Sequence, residues 1–140
     1  MNETERLIIE IPMLPPAENS PNWRGHWAQR YKASTVYGYA VYLYAQQECM
    51  TNDLPVFDRA RLDLTFVFPT NRRRDEDNMR ARFKPGQDAL VKAGIVADDK
   101  PEHLEMGTIT FHVDKRLAPM TVITLEELKA DLVEKIRGME

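Results

Sequence analysis

Arg61-Leu62-Asp63-Leu64-Thr65-Phe66-Val67-Phe68, closed by Pro69, is the stretch that decides the fold. Leu62, Leu64, Phe66 and Phe68 fall on one face of an alternating run, which predicts a half-buried strand. Proline cannot donate to a sheet ladder, so the strand ends there. What leaves it is a charged segment, Arg72-Arg73-Arg74-Asp75-Glu76-Asp77-Asn78.

Upstream, Arg6 to Pro12 alternates and is rich in Ile, which predicts a first strand. Met13 to Gly25 holds Pro15, Pro16, Asn19, Pro21, Asn22 and Gly25 and reads as a long loop. His26 to Glu48 has no proline and predicts a helix, with Gly38 as its weak point. Downstream, a helical pattern from Asn78 to Ala93 stops at Gly94, and Pro85-Gly86 is expected to kink it or divide it in two. Ile95-Val96-Ala97 then leads into an acidic turn, Asp98-Asp99-Lys100-Pro101. Thr108 to Val113 reads as a strand with Ile109, Phe111 and Val113 inward, and Met120 to Thr124 as another. Thr124 with Glu127 forms a capping-box pattern before a closing helix striped by Leu125, Leu128, Leu132 and Ile136. The expected architecture is therefore one α/β (α+β) domain, a mixed β-sheet with helices packed on it. Residues 1–124 form its core and 125–140 an added C-terminal helix.

The chain has 140 residues, 43% of them hydrophobic and 29% charged, which suits a single ordinary globular domain. No run approaches the length of a bilayer span, and the acidic start is unlike a signal peptide, so no membrane partner is expected. One Cys and three His argue against an internal disulfide and against a zinc site, and fit a reducing cytoplasmic interior. The net charge of −3 argues against a broad basic coat. A local one exists: Arg72 to Lys84 holds six cations against three acids.

Asp75 and Asp77 stand at i and i+2 beside those cations. Carboxylates held together repel unless something positive lies between them, and a hard divalent cation would serve. The arginines suit phosphate oxygens, which a guanidinium grips with paired hydrogen bonds. A solvated turn in which acids and arginines pair is the plainer alternative. Asp99, with Asp98, offers a third carboxylate 22 residues after Asp77, or simply starts a turn. Lys84 is a candidate to steady charge on a phosphate, or pairs with Asp88 one turn on. Asn78 either orients an Asp or caps the helix. Asn19, Asn22, Trp23, Arg24 and His26 suit contact with unpaired bases, although Trp23 and Trp27 are more simply read as packing the loop onto the core. Tyr37, Tyr39, Tyr42 and Tyr44 go round their helix and hint at a covering second subunit.

Taken together, Arg72 to Asn78, Asp88-Ala89-Leu90-Val91-Lys92-Ala93-Gly94 and Asp98-Asp99 resemble the motifs of the RusA-type crossover-junction endodeoxyribonucleases of phages and prophages. The strand leading to Pro15-Pro16 and the Asn19 to Asn22 loop extend the resemblance from about Leu7 to Thr124. It implies a RusA-like fold and a homodimer in the cytoplasm of a bacterial host. It also implies Mg²⁺-dependent resolution of four-way (Holliday) DNA junctions by paired nicks, with Mn²⁺ expected to substitute. Asp75, Asp77 and Asp99 match the essential aspartates and would hold the metal. Lys84 matches the essential lysine, four residues before Asp88. The segment between the two motifs is longer here by about one helical turn, so Arg80 or Arg82 is the alternative for that role. Arg72, Arg73, Arg74, Arg80, Arg82, Asn19, Asn22 and Arg24 are the expected DNA contacts. The other readings are a DNA-binding protein without catalysis and a nuclease with another branched or single-strand preference.

Overall fold

In the computed structural model, residues 5–52, 56–72 and 74–128 are described. Four strands, β1 (Arg6–Ile11), β2 (Ala60–Phe68), β3 (Leu104–Val113) and β4 (Met120–Glu127), form one mixed sheet in the order β1-β4-β2-β3. β4 lies antiparallel to both β1 and β2, whereas β2 and β3 are parallel. Parallel neighbours need a crossover. Here it is a pair of helices, α2 (Glu76–Arg82) and α3 (Lys84–Lys92), joined at Phe83. The long α1 (Trp27–Asn52) links β1 to β2. The single α+β domain expected from the sequence is therefore observed.

Alternation does the sorting. Leu7, Ile9 and Ile11 of β1, Leu62, Leu64, Phe66 and Phe68 of β2, and Ile123 and Leu125 of β4 form one buried cluster with side chains from all three helices. Only Tyr37, Val41 and Ala45, spaced one turn apart, are buried on α1. Pro85 divides the expected Asn78–Ala93 helix. In a continuous helix its missing amide would have faced the Ala81 carbonyl. The chain instead restarts after Phe83, whose ring is fully buried edge-on against Tyr37, at 6.2 Å between centroids.

Gly94 ends α3 as expected. With φ of 76° it takes the left-handed turn of a Schellman cap, its amide reaching Val91 O and that of Ile95 reaching Leu90 O. Ile95 and Val96 are then buried, and Val96 bridges to Phe57. This return path fixes where Asp98-Asp99 emerges.

Three expectations are corrected. Thr124 and Glu127 do not cap a helix: both lie in β4, which pairs along its whole length with β1 on one side and β2 on the other. The boundary placed at 124 thus falls inside a strand, and Leu125 is core. Ladder bonds on both sides of a central strand outweigh the local capping pattern. The remainder of the expected closing helix, from residue 129 onward, lies outside the described residues. Val113 is exposed, because it ends the sheet-edge strand β3, while Ile109 and Phe111 do reach the core. Trp27 is 73% exposed and stacks on His26 rather than packing inward. Among the described residues, no helix is long and apolar enough to cross a membrane.

One buried polar chain ties three elements together. The Tyr37 hydroxyl donates to Thr121 Oγ1 (3.0 Å), which donates to the Met13 carbonyl (2.8 Å). Burial pushes the Tyr37 hydroxyl pKa far up, so it stays a protonated donor. Replacing Thr121 by the isosteric Val strands both neighbours, and a stranded buried group costs about 1–3 kcal/mol. Thr121→Val should lower stability by about 2 kcal/mol in urea unfolding, whereas Thr121→Ser should stay near wild type. Equal loss in both variants would show that the hydrogen bonds carry none of it.

Candidate functional site

The segment after β2 becomes the N-terminus of α2, and its acids explain why. Asp75 is the N-cap: its backbone is extended, and Oδ1 accepts the Asp77 amide at 2.8 Å. Glu76 and Asp77 fill the first turn, where the helix dipole favours negative charge. Both Asp75 and Asp77 are exposed. Asn78 is not the cap. Its Nδ2 donates to Ser20 Oγ at 3.0 Å and ties α2 to the first loop.

Lys84 opens α3, and its ammonium lies between two carboxylates. Nζ is 2.8 Å from Asp99 Oδ2 and 2.9 Å from Asp88 Oδ1. The motif residues of α3 and of the return loop thus meet in space. The Lys84 pairing with Asp88 expected from helical spacing is present, and Asp99 joins it. Hydrogen bonds donated to Asp99, then to Asp88, raise the Lys84 pKa, and the bond from Lys84 holds Asp99 below the usual carboxylate range. Asp98 accepts the Asp99 amide at 2.7 Å, a turn-forming contact that orients its neighbour.

The expected DNA contacts divide into held and free groups. Arg74 stacks over the Phe68 ring at 3.5 Å and donates to the Arg72 carbonyl. Arg72, Asn22 and Arg24 are exposed. Arg82 turns inward and donates to the carbonyls of Pro15 (2.6 Å) and Pro16 (3.3 Å). It fastens the proline loop to α2, which removes it from the surface expected to grip phosphate. Arg80 Nε is buried and meets no acceptor among the described residues. Asn19 accepts from the Ser34 hydroxyl, so its carbonyl end is committed to the loop as well. Arg73 lies outside the described residues.

The first loop contains the short 3-10 turn Ala17–Asn19 and is held by side chains of α1 and α2. Besides Arg82 and Asn78, Arg30 of α1 donates to the carbonyls of Glu18 (2.8 Å) and Ser20 (2.7 Å). Arg30 and Ser20 carry no sequence signal of this role, since their partners are backbone groups or lie far along the chain.

No family model matches the chain. A protein of Xylella fastidiosa (strain Temecula1 / ATCC 700964), described as an uncharacterized protein, is 40% identical over 87 residues. The match covers 61% of this chain and 56% of that protein, so it spans little more than half the relative's length.

The acids therefore form two groups. Asp75 and Asp77 crown α2, and Asp99 and Asp88 share Lys84. Among the described residues, no three His, Cys, Asp or Glu side chains converge as a ready-made metal site. The donor chemistry still suits a hard cation: Asp75 Oδ2 takes no amide of the cap, and the Asp77 carboxylate is exposed. Asp99 is engaged by an ammonium, itself a cation at a carboxylate.

The Lys84 pairing has a pH signature. A carboxylate depressed by a partner adds stability above its unfolded pKa and loses it as pH falls through the folded value. The window for Asp99 therefore lies below pH 4. A carboxyl NMR titration should place Asp99 below an ordinary aspartate, and Lys84→Met should return it upward. An unchanged Asp99 titration in that variant would contradict the pairing.

Proposed function

We propose that this chain is a Mg²⁺-dependent, structure-selective endonuclease that resolves four-way DNA junctions, a member of the RusA-type resolvases. The observation that carries the proposal is the meeting of Lys84 with Asp99 and Asp88. Asp88 and Asp99 belong to separate stretches of the resemblance, Lys84 stands four residues before Asp88, and the fold brings all three within hydrogen-bond reach. Asp75 and Asp77 stand at the end of β2, where loops of such sheets carry chemistry.

In this reading Asp75, Asp77 and Asp99 hold the ion, with Mn²⁺ able to replace it. Mg²⁺ would supply Lewis acidity at the phosphate and a water of lowered pKa. The chain's own residues do the rest. The start of α2 presents both carboxylates to solvent, and the cap orients that of Asp75. Arg72 and Arg74 offset negative charge on the phosphodiester, Arg74 already anchored by Phe68. Lys84 would neutralise charge building on the departing oxygen, with Asp88 holding it in place and Asp99 available as a ligand. Arg82, committed to Pro15 and Pro16, is not the basic group in this scheme, and neither is the buried Arg80 Nε. A homodimer would place two such sites on opposed strands, and the bacterial cytoplasm is where a phage or prophage enzyme would meet its junctions.

A second reading has one observation in its favour: capping and the helix dipole already account for Asp75 and Asp77. A DNA-binding protein without catalysis would keep them for folding alone. Asp75→Asn separates the two, because asparagine caps a helix about as well as aspartate. With a labelled four-way junction and Mg²⁺, this variant should lose at least about a hundredfold in nicking, the scale of losing a charge that stabilises a transition state. Junction binding and thermal stability should persist. Full cutting by the variant, or no Mg²⁺-dependent nicks from the wild type, would overturn the nuclease assignment.

A further inference from the structure

α1 and α3 pack against each other, with Gly38 close to the Pro85 carbonyl. A Cβ at Gly38 would come within 3.3 Å of the Pro85 carbonyl oxygen, so a side chain there would press the helices apart by a few tenths of an ångström. Beside that contact runs a groove of about 580 Å³, floored by Pro85 and Ala89 and walled by Tyr31, Tyr39 and Tyr42. Its size is that of a site for one small organic group. Tyr31 and Tyr39 are 68% and 62% exposed, which is unusual for two rings facing one cleft.

The charges at the rim limit what can sit there. Asp88 lines the groove but is already matched by Lys84. Lys92, one turn further along α3, lines it with no hydrogen bond or ion pair to another described residue. The groove thus offers aromatic faces, a hydroxyl-bearing wall and one uncommitted cation.

We infer that this groove takes an unpaired base of single-stranded DNA, stacked against Tyr31 or Tyr39 with its phosphate at Lys92. Duplex DNA hides its base faces, whereas an unstacked nucleotide presents a π-face and a negative charge together. The inference deepens the junction-nuclease reading and rests on it for the source of the base, a strand opened at the branch point. The Lys84–Asp88 pair joins the groove to the candidate site, so a base held here lies beside the strand to be cut.

The test is fluorescence anisotropy of a labelled octathymidylate with the full chain, in EDTA so that nothing is cleaved, with a blunt duplex as control. Tyr31→Ala combined with Tyr39→Ala should weaken oligonucleotide binding roughly tenfold or more, the scale of one lost base–aromatic stack. Duplex binding should hold. Tyr39→Phe, which keeps the ring, should stay near wild type, and Lys92→Ala should lower the salt dependence by about one counterion. Both tyrosines are exposed, and far-UV circular dichroism confirms that the variants fold. Unchanged oligonucleotide affinity in the double variant overturns the inference. So does sedimentation showing that the tyrosines hold a dimer which the double variant dissociates. Oligonucleotide binding that persists while junction nicking fails would sink the nuclease reading and leave the groove standing.

Discussion

Pro85 has no amide hydrogen to give, and the geometry around the candidate site follows from how the chain absorbs that deficit. α2 stops, Phe83 drops its ring into the core against Tyr37, and α3 restarts with Lys84 at its first position. In an unbroken helix Asp77 and Lys84, two turns apart, would have shared a face. The break redirects Lys84 toward the return loop. At the far end the Schellman cap at Gly94 and the Phe57–Val96 bridge turn the chain back, and Asp99 arrives at the Lys84 ammonium. Two backbone constraints, one at each end of a nine-residue helix, thus bring about a contact fifteen residues apart.

That contact is a partly exposed network, and its significance is positional rather than energetic. Exposed ion pairs contribute about 0–1 kcal/mol each, so stability alone gives little reason for two acids to share one lysine. In the proposed nuclease Asp99 would be available to a metal without leaving Lys84 unpaired, because Asp88 holds the same ammonium. The crown of α2 is complementary: its acids sit where the helix dipole favours negative charge, and the cap orients Asp75.

Much of this was legible in the sequence. Strict alternation marked β2, the absence of proline marked α1, and Pro85-Gly86 and Gly94 marked the division and end of the crossover helices. The Lys84–Asp88 pair followed from helical spacing. What escaped depended on partners distant in the chain. Thr124 and Glu127 match a capping box, and only the two neighbouring strands reveal that they lie in β4. Arg82 looked like one more phosphate contact, but its acceptors are the backbone carbonyls of Pro15 and Pro16, which no residue pattern advertises. Tyr37, Tyr39, Tyr42 and Tyr44 were conspicuous, yet Tyr37 is core and the groove against α3 takes Tyr39 and Tyr42 together with Tyr31.

The central claim is that Asp75, Asp77 and Asp99 can share one divalent cation. Crystals of the protein soaked in Mn²⁺ and measured at the manganese edge test it most directly. The account predicts an anomalous peak within about 2.5 Å of oxygens from all three aspartates, with Lys84 retained by Asp88 alone. No peak at these carboxylates, with Asp99 still bound to Lys84 and about a nanometre or more from Asp75 and Asp77, would contradict it.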